Sequence, residues 1–487
     1  MIRSESVNAA RLGIIRAVTR TFLLTNGKLN GATPMSSVVI PFVQSGSYPS
    51  RPGNLVRPLI DGEPAFRRIC EAIEEARISI WVTVTFLWST FEMPDGRGSI
   101  FDVLDRAAAR GIDARLIIWR PDEETERLRR NAFWGSAAQI GLLDKRRSGV
   151  KIRWDRAHPG FCQHQKCWLI DAGDENETAF VGGINLNPHS MVAPGHKGEG
   201  HNHDVFVELA GPSAVDVQHN FVQRWNEASE RMAKDGCWGA GSTTSLQFPT
   251  RVPAERGSAA VQIQRTIHEG RYVNGQATPQ GMSFDIASGE RSNFYQYCAA
   301  IEAARRSIYI ENQYVEVPEI VDCLRGALER GVDVILLMPA KPDVSSQVPL
   351  ARRAFLNART ELGAYQNFML AGIAGLGADG HRKSIYVHSK LMLVDDEWAT
   401  LGSCNLHHFS LFGNGEINAA FSEPDTVRAF RRELFREHLD QDTFDLDDLT
   451  AFHLFRTIAS ANREKFEAGD DAWQGLAFEL DLAAYLG

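Results

Sequence analysis

Long apolar runs are missing from this 487-residue chain. No stretch approaches the roughly 20 residues that a membrane span requires. A surplus of positive charge is missing too: 52 Lys and Arg stand against 61 Asp and Glu, for a net charge of −9. That balance excludes a general nucleic-acid binder, which needs basic residues to neutralise phosphates, although a local pocket can still hold a single phosphate. Cysteine is scarce. The seven present are an odd number, scattered without a CxxC pair or a zinc-type spacing. They exclude a disulfide framework and favour reduced thiols in a cytoplasmic setting, with peripheral membrane contact left open.

What is present is ordinary for a globular protein, with 44% apolar and 23% charged residues over a length that suits two or three domains. Residues 1–50 read as a leader. Its first part carries Arg3, Arg11, Arg16 and Arg20 against Glu5, with Leu12, Ile15, Val18 and Phe22 near helical spacing. Such a segment can lie on an anionic membrane surface, but it is too broken for a secretory signal.

The rest of the chain is built twice. "FRRICEAIEEARISI" (66–80) and "FYQYCAAIEAARRSI" (294–308) agree at 9 of 15 positions. Each reads as an amphipathic helix running into a strand, and a further helix and strand follow, with Gly111 and Gly331 at the helix ends. Helices alternating with apolar strands predict α/β layers. The expected domains are a first unit over 51–233, a connection rich in Gly, Ser, Thr and Pro over 234–258, a second unit over 259–440 and a helical extension over 441–487.

Chemistry-bearing residues repeat in register. "HQKCWLID" places His164, Lys166 and Asp171 at the spacing of His388, Lys390 and Asp395 in "HSKLMLVD". In a strand, residues two apart share a face, so each His and Lys point together while the apolar run packs. Small-residue loops follow, "FVGGINLN" with Asn185 and "TLGSCNLH" with Ser403 and Asn405. They allow amide and backbone groups to approach an anion. Asp204 and Glu416 each lie eight residues before a proline, at Pro212 and Pro424. Each is expected to orient the histidine of its own half.

Two copies of H-x-K-x4-D, each followed by G-[GS]-x-N, resemble the phospholipase D superfamily. "IYIENQY", "IYVHSK" and "GEIN" look like its eukaryotic-type branch. The likeness covers most of residues 55–440. The first copy departs from the pattern, with ten residues between Asp171 and Gly182 where the second has six between Asp395 and Gly402, and with Gly183 where the usual serine stands. The resemblance implies a duplicated α/β fold, two pseudo-symmetric layered units sharing one active site at their interface within a monomer. It also implies a phospholipase D that hydrolyses phosphatidylcholine-type lipids to phosphatidate and an alcohol, and that transfers the phosphatidyl group to other alcohols. His164 would attack phosphorus while His388 protonates the leaving oxygen and then activates water, with Lys166, Lys390, Asn185, Asn405 and Ser403 on the phosphate. Asp171 and Asp395 would serve structure more than proton transfer. No metal or cofactor is implied, because the lysines supply the positive charge, and the partner is a phospholipid surface rather than nucleic acid. A cardiolipin-synthase-like transferase and a phosphodiesterase nuclease are the alternatives among enzymes. A catalytically inactive lipid-binding protein is the alternative of another class, and it requires the loss of a His or Lys that is in fact present.

Other features weigh less. His189, His196, His201 and His203 fall in "NPHSMVAPGHKGEGHNH" (187–203), for which a metal site is the lesser alternative to a flexible loop over the site, because no Cys or acidic spacing completes a ligand set. "AGIAGLGADG" (371–380) reads as a loop, lacking the G-K-[ST] of a nucleotide cradle. Cys162, Cys167 and Cys404 read as small buried hydrophobes. Trp81, Trp88, Trp119, Phe133 and Trp134 read as core packing, with a lipid-tail groove as the alternative.

Overall fold

The computed structural model describes residues 39–121, 132–133, 136–146, 148–197, 201–229, 237–238, 244–341 and 361–481. The Arg-rich stretch of the leader, Trp134 and much of the connection lie outside these residues. The repeated segments form helices at Gly62–Glu75 and Ser292–Ala303. Phe66, Ile69, Cys70 and Ile73 are buried along one and Phe294, Tyr297 and Ile301 along the other, so the shared Phe and Ile, Phe66 with Phe294 and Ile73 with Ile301, face inward in both copies. Gly111 and Gly331 follow the second helix of each half with φ of 86° and 84°, a left-handed turn that a side chain would strain.

The first half supplies β1 (Arg51–Ile60), β2 (Ser79–Val84), β3 (Asp113–Trp119), β4 (Lys151–Asp155), β5 (Lys166–Ile170), β6 (Thr178–Gly182) and β7 (Val205–Ala210). Their order across the sheet is β4-β3-β2-β5-β6-β7-β1, with β2, β3 and β4 parallel and the other pairs antiparallel. The second half supplies β8 (Ala259–Ile267), β9 (Ser307–Glu311), β10 (Asp333–Leu337), β11 (Phe368–Leu376), β12 (Leu391–Val394), β13 (Trp398–Gly402) and β14 (Glu416–Ser422). The order is the same, β11-β10-β9-β12-β13-β14-β8. The duplication read from sequence is therefore a duplicated α/β topology. The two sheets join where β1 meets β8 antiparallel, Arg51 opposite Val261 and Asn54 opposite Ala259.

Both faces of the sheets are buried. Ile80, Val82 and Val84 of β2 pack into an outer core with Trp168 and Ile170 of β5, while Trp81, Cys167 and Leu169 alternate into a central core. That central core is shared, since Val205, Val207 and Leu209 of β7 lie in it together with Ile417, Ala419 and Phe421 of β14.

Three expectations change. Residues 39–50 do not end a loose leader: Gln296 donates to the Pro41 carbonyl, and Gln262 donates to those of Val43 and Tyr48. The segment "AGIAGL" (371–376) is part of β11, not a loop. Its glycines permit close approach, because a Cβ on Gly375 would stand 2.3 Å from the His196 carbonyl oxygen. The C-terminal extension holds a helix, Asp448–Glu467, and also a strand, β15 (Ala477–Glu479), that pairs antiparallel with β11.

Candidate active site

Each motif histidine stands at the entry to its strand, and there the backbone crosses to the other half. Gln163 bridges Gly415 in parallel, and the His164 N–H donates to the Gly415 carbonyl at 2.7 Å. In the mirror position Tyr386 and Val387 pair in parallel with Asn202 and His203, and the His388 N–H donates to the His203 carbonyl at 2.8 Å. The next residue in each partner segment is an acid. His164 Nδ1 is therefore 3.0 Å from Glu416 Oε2, and His388 Nδ1 is 2.5 Å from Asp204 Oδ2. This corrects the expected pairing: the carboxylates orient histidines, but each serves the opposite half. A second acceptor, the Ser403 carbonyl, lies 3.0 Å from His164 Nδ1. Acceptors on Nδ1 hold the proton there and leave Nε2 for chemistry.

The two lysines are fixed by the backbone of their own motifs. Lys166 Nζ donates to the His164 carbonyl at 2.8 Å, and Lys390 Nζ donates to the His388 carbonyl and, at 2.5 Å, to Gln313 Oε1. His164, His388, Asn185 and Asn405 line one cavity of about 550 Å³. The side-chain oxygens of both asparagines are buried without a hydrogen-bond partner. Matching backbone bridges, Leu87 to Leu186 and Val315 to Leu406, place the two asparagine loops. One cavity thus collects both histidines and two amides suited to a phosphate, and each lysine is held on the backbone carbonyl of a cavity-lining histidine.

The remaining motif residues act on the scaffold. Asp171 accepts from the N–H groups of Arg77, Ile78 and Ser79, and Asp395 from those of Arg305, Arg306 and Ser307. Each ties the helix-to-strand turn of its repeat to the far end of the motif strand. Ser403 was expected on the phosphate, but its Oγ is fully buried and donates to Glu416 Oε2 at 2.6 Å while accepting from the Ile417 N–H. It is a support for the acid. The serine missing from the first copy has a steric cause: a Cβ on Gly183 would stand 2.3 Å from Asp204 Oδ1. Aspartate is one methylene shorter than glutamate, so its carboxylate lies nearer the loop and leaves no room for a side chain.

Electrostatics follow from burial. Desolvation pushes both imidazoles below their ordinary value, His388 to about 3, with Lys390 adding to the effect and Asp204 opposing it; for His164 the opposing group is Glu416. The acids would be raised by burial alone, but the facing imidazoles hold both below the usual carboxylate range. Desolvation brings Lys166 down to about 8 and Lys390 to about 7. Since kcat/KM reports the free enzyme, it is expected to fall as pH rises through 7–8 and these amines lose their charge. Stability should move the other way. The folded amines release protons near pH 7–8 while unfolded lysine holds them to about 10, so the unfolded state binds more protons in that window and stability increases with pH. Initial rates and melting temperatures from pH 6 to 10 test both, and a rate profile flat to pH 10 would show that the lysines stay charged.

Aromatic groups divide. Trp88 and Trp119 line the cavity, whereas Trp81 stacks on Phe221 and Phe133 on Trp154 in the core. Phe86, Phe161, Tyr314, Tyr386, His407, Phe409 and Gln313 also line it and escaped the sequence reading, because they sit in loops and in elements too short to show a periodicity. Of the four histidines in the histidine-rich segment, only His189 reaches the cavity wall, while His196 and His203 are fully buried elsewhere. Cys167 and Cys404 are buried thiols pushed up by desolvation, Cys167 to about 12, which suits packing rather than redox chemistry.

Comparison with known proteins agrees with this geometry. Residues 69–225 and 297–438 match the family described as "Cardiolipin synthase, PLD-like domain", and residues 197–316 match "Phospholipase D". Cardiolipin synthase 1 of Staphylococcus epidermidis is 24% identical over 398 residues, 80% of this chain and 68% of that protein. Cardiolipin synthase A of Pseudomonas entomophila is 28% identical over 382 residues, 76% of this chain and 66% of that protein. These relatives give no support to the narrower likeness to the eukaryotic-type branch. Among solved structures, phosphatidylserine synthase of Haemophilus influenzae aligns with a TM-score of 0.51 at 12% identity, covering 85% of this chain and 94% of that one, a likeness of fold alone. With both repeats matched over more than half of its residues, the chain belongs to the phospholipase D-like family.

Proposed function

We propose that the protein is a phosphatidyltransferase of the cardiolipin-synthase kind, moving a phosphatidyl group from a glycerophospholipid to the hydroxyl of an alcohol, including the headgroup hydroxyl of a second phospholipid. The observation that carries this reading is the single cavity holding two histidines, each with Nδ1 on a carboxylate of the other half. His164 Nε2 attacks phosphorus, and the phosphorus–oxygen bond to the headgroup breaks as His388 gives that oxygen a proton. The acceptor hydroxyl then loses its proton to His388 and attacks the phosphohistidine, which frees His164. Lys166, Lys390, Asn185 and Asn405 neutralise the non-bridging oxygens, and the incoming anion raises the histidine pKa toward the range where it can act as an acid. Water in place of the alcohol gives the hydrolase expected from sequence. The names of the relatives support transfer over hydrolysis.

Phosphatidylglycerol vesicles with the purified chain should yield a lipid carrying two phosphatidyl groups together with free glycerol, followed by phosphorus NMR and mass spectrometry. Added ethanol should divert product to phosphatidylethanol, because one covalent intermediate accepts either nucleophile. Phosphatidate as the main product from phosphatidylcholine would restore the hydrolase. Robust DNA cleavage without action on lipid would overturn both.

A further inference from the structure

Behind His388, away from the cavity, the two halves bring together a second set of ionisable side chains. Asp61 precedes the first repeat helix, His196 and His203 belong to the histidine-rich segment, and Glu437 lies near the end of the helix Pro424–Leu439. All four are buried; the three from the first half are fully so and Glu437 retains 5% side-chain exposure. His196 Nε2 lies 3.4 Å from His203 Nδ1, 3.2 Å from Asp61 Oδ2 and 3.4 Å from Glu437 Oε1. His203 Nδ1 lies 3.0 Å from Asp61 Oδ1 and 4.0 Å from Glu437 Oε2. Four donors bound tetrahedrally to zinc at about 2.0–2.2 Å stand about 3.3 Å from one another, and the separations here, 3.0–4.0 Å, bracket that value.

We propose that Asp61, His196, His203 and Glu437 form a structural site for a divalent transition metal of the zinc class, clamping the two halves together behind the active site. Three further observations point to a ligand. Asp61 Oδ2 and Glu437 Oε2 are buried without hydrogen-bond partners. Asp61 occupies the N-cap position of its helix yet makes no side-chain cap bond, and it holds φ 63° and ψ 161°, a conformation almost confined to glycine, with its carboxylate turned to the histidines. His203 keeps its other nitrogen, Nε2, 3.0 Å from Glu311 Oε2, and Glu311 in turn accepts from Ser389 Oγ and Tyr309 OH. A carboxylate on the far ring nitrogen is the usual support of a metal-bound imidazole. A dication would balance the two ligating carboxylates, with Glu311 adding one further negative charge through His203.

The sequence reading found no ligand set because the two carboxylates lie 135 and 234 residues away from the histidines they face, counted from Asp61 to His196 and from His203 to Glu437. The site also has a mechanical meaning. The His203 carbonyl accepts from the His388 and Ser389 N–H groups, and its neighbour Asp204 holds the His388 ring. Fixing His203 fixes that pair.

Elemental analysis of the full chain, purified without chelators or a polyhistidine tag, should find about one zinc-class ion per chain. Cobalt(II) exchanged into the protein should give the visible bands of tetrahedral nitrogen and oxygen coordination. His196→Ala and the shape-conserving Glu437→Gln should each lower metal affinity at least tenfold, and chelation should lower the melting temperature of the parent chain but not of these variants. The proposal is overturned if the parent chain retains no stoichiometric metal after exposure to zinc or cobalt and removal of the excess, or if both variants bind as the parent does. The parent's metal content and cobalt spectrum decide the matter even where a variant fails to fold.

Discussion

Replacing His164 with alanine should abolish turnover, and replacing His388 should do the same, each by a factor on the order of 10⁴ or more. The two rings line one cavity, and in the proposed mechanism they take sequential roles, one as nucleophile and the other as proton donor and acceptor, so neither copy would substitute for its twin. Half of the activity surviving in either variant would mean two independent sites. Mixing the two alanine variants should restore nothing, because both rings of a cavity come from one chain and each cavity still lacks one of them. Lipid turnover by the purified variants, with circular dichroism to confirm folding, measures all three.

The orienting acids should separate the two histidines, and they should do so crosswise. Glu416 faces His164 and Asp204 faces His388. Glu416→Gln is therefore expected to slow formation of the phosphohistidine, and Asp204→Asn to slow protonation of the leaving group and breakdown of the adduct. Losses of about 10²–10⁴ follow from a wrong tautomer and an unstabilised imidazolium. A substrate with a good leaving group needs no acid, so on that substrate His388→Ala should accumulate phosphate on His164. Acid-labile phosphate on the quenched enzyme, located by mass spectrometry, decides the assignment. A phosphopeptide containing His388 and none containing His164 would reverse the roles while leaving the crosswise pattern in place.

The duplication and the paired motifs were legible because they are local patterns: helical spacing around Phe66 and Phe294, and two-residue alternation from His164 to Lys166 and from His388 to Lys390. The partnership of acid and histidine was half legible. Register showed that Asp204 and Glu416 are equivalent, but the crossing rests on a contact of one or two residues, Gln163 with Gly415 and Val387 with His203, that no periodicity announces. Ser403 was misread for a related reason, since a hydroxyl in a small-residue loop serves a substrate or a neighbouring acid equally well until its partner is seen. β11 was misread because glycine in a strand marks close approach as readily as it marks a turn.

The crosswise carboxylates bear on descent. A single unit of this kind, standing alone, holds a histidine without its acid and an acid without its histidine, so a one-copy ancestor could have worked only as a symmetric pair, each subunit lending its carboxylate to the other. Fusion freed the two halves to diverge, but only in linked positions. A loop serine accompanies the longer acid at Ser403 and Glu416, and a loop glycine accompanies the shorter one at Gly183 and Asp204. Exchanging either partner alone puts a side chain into a carboxylate or leaves a carboxylate without support. Chains descended from the same fusion should therefore swap acid length and loop residue together, in one step or through a crippled intermediate.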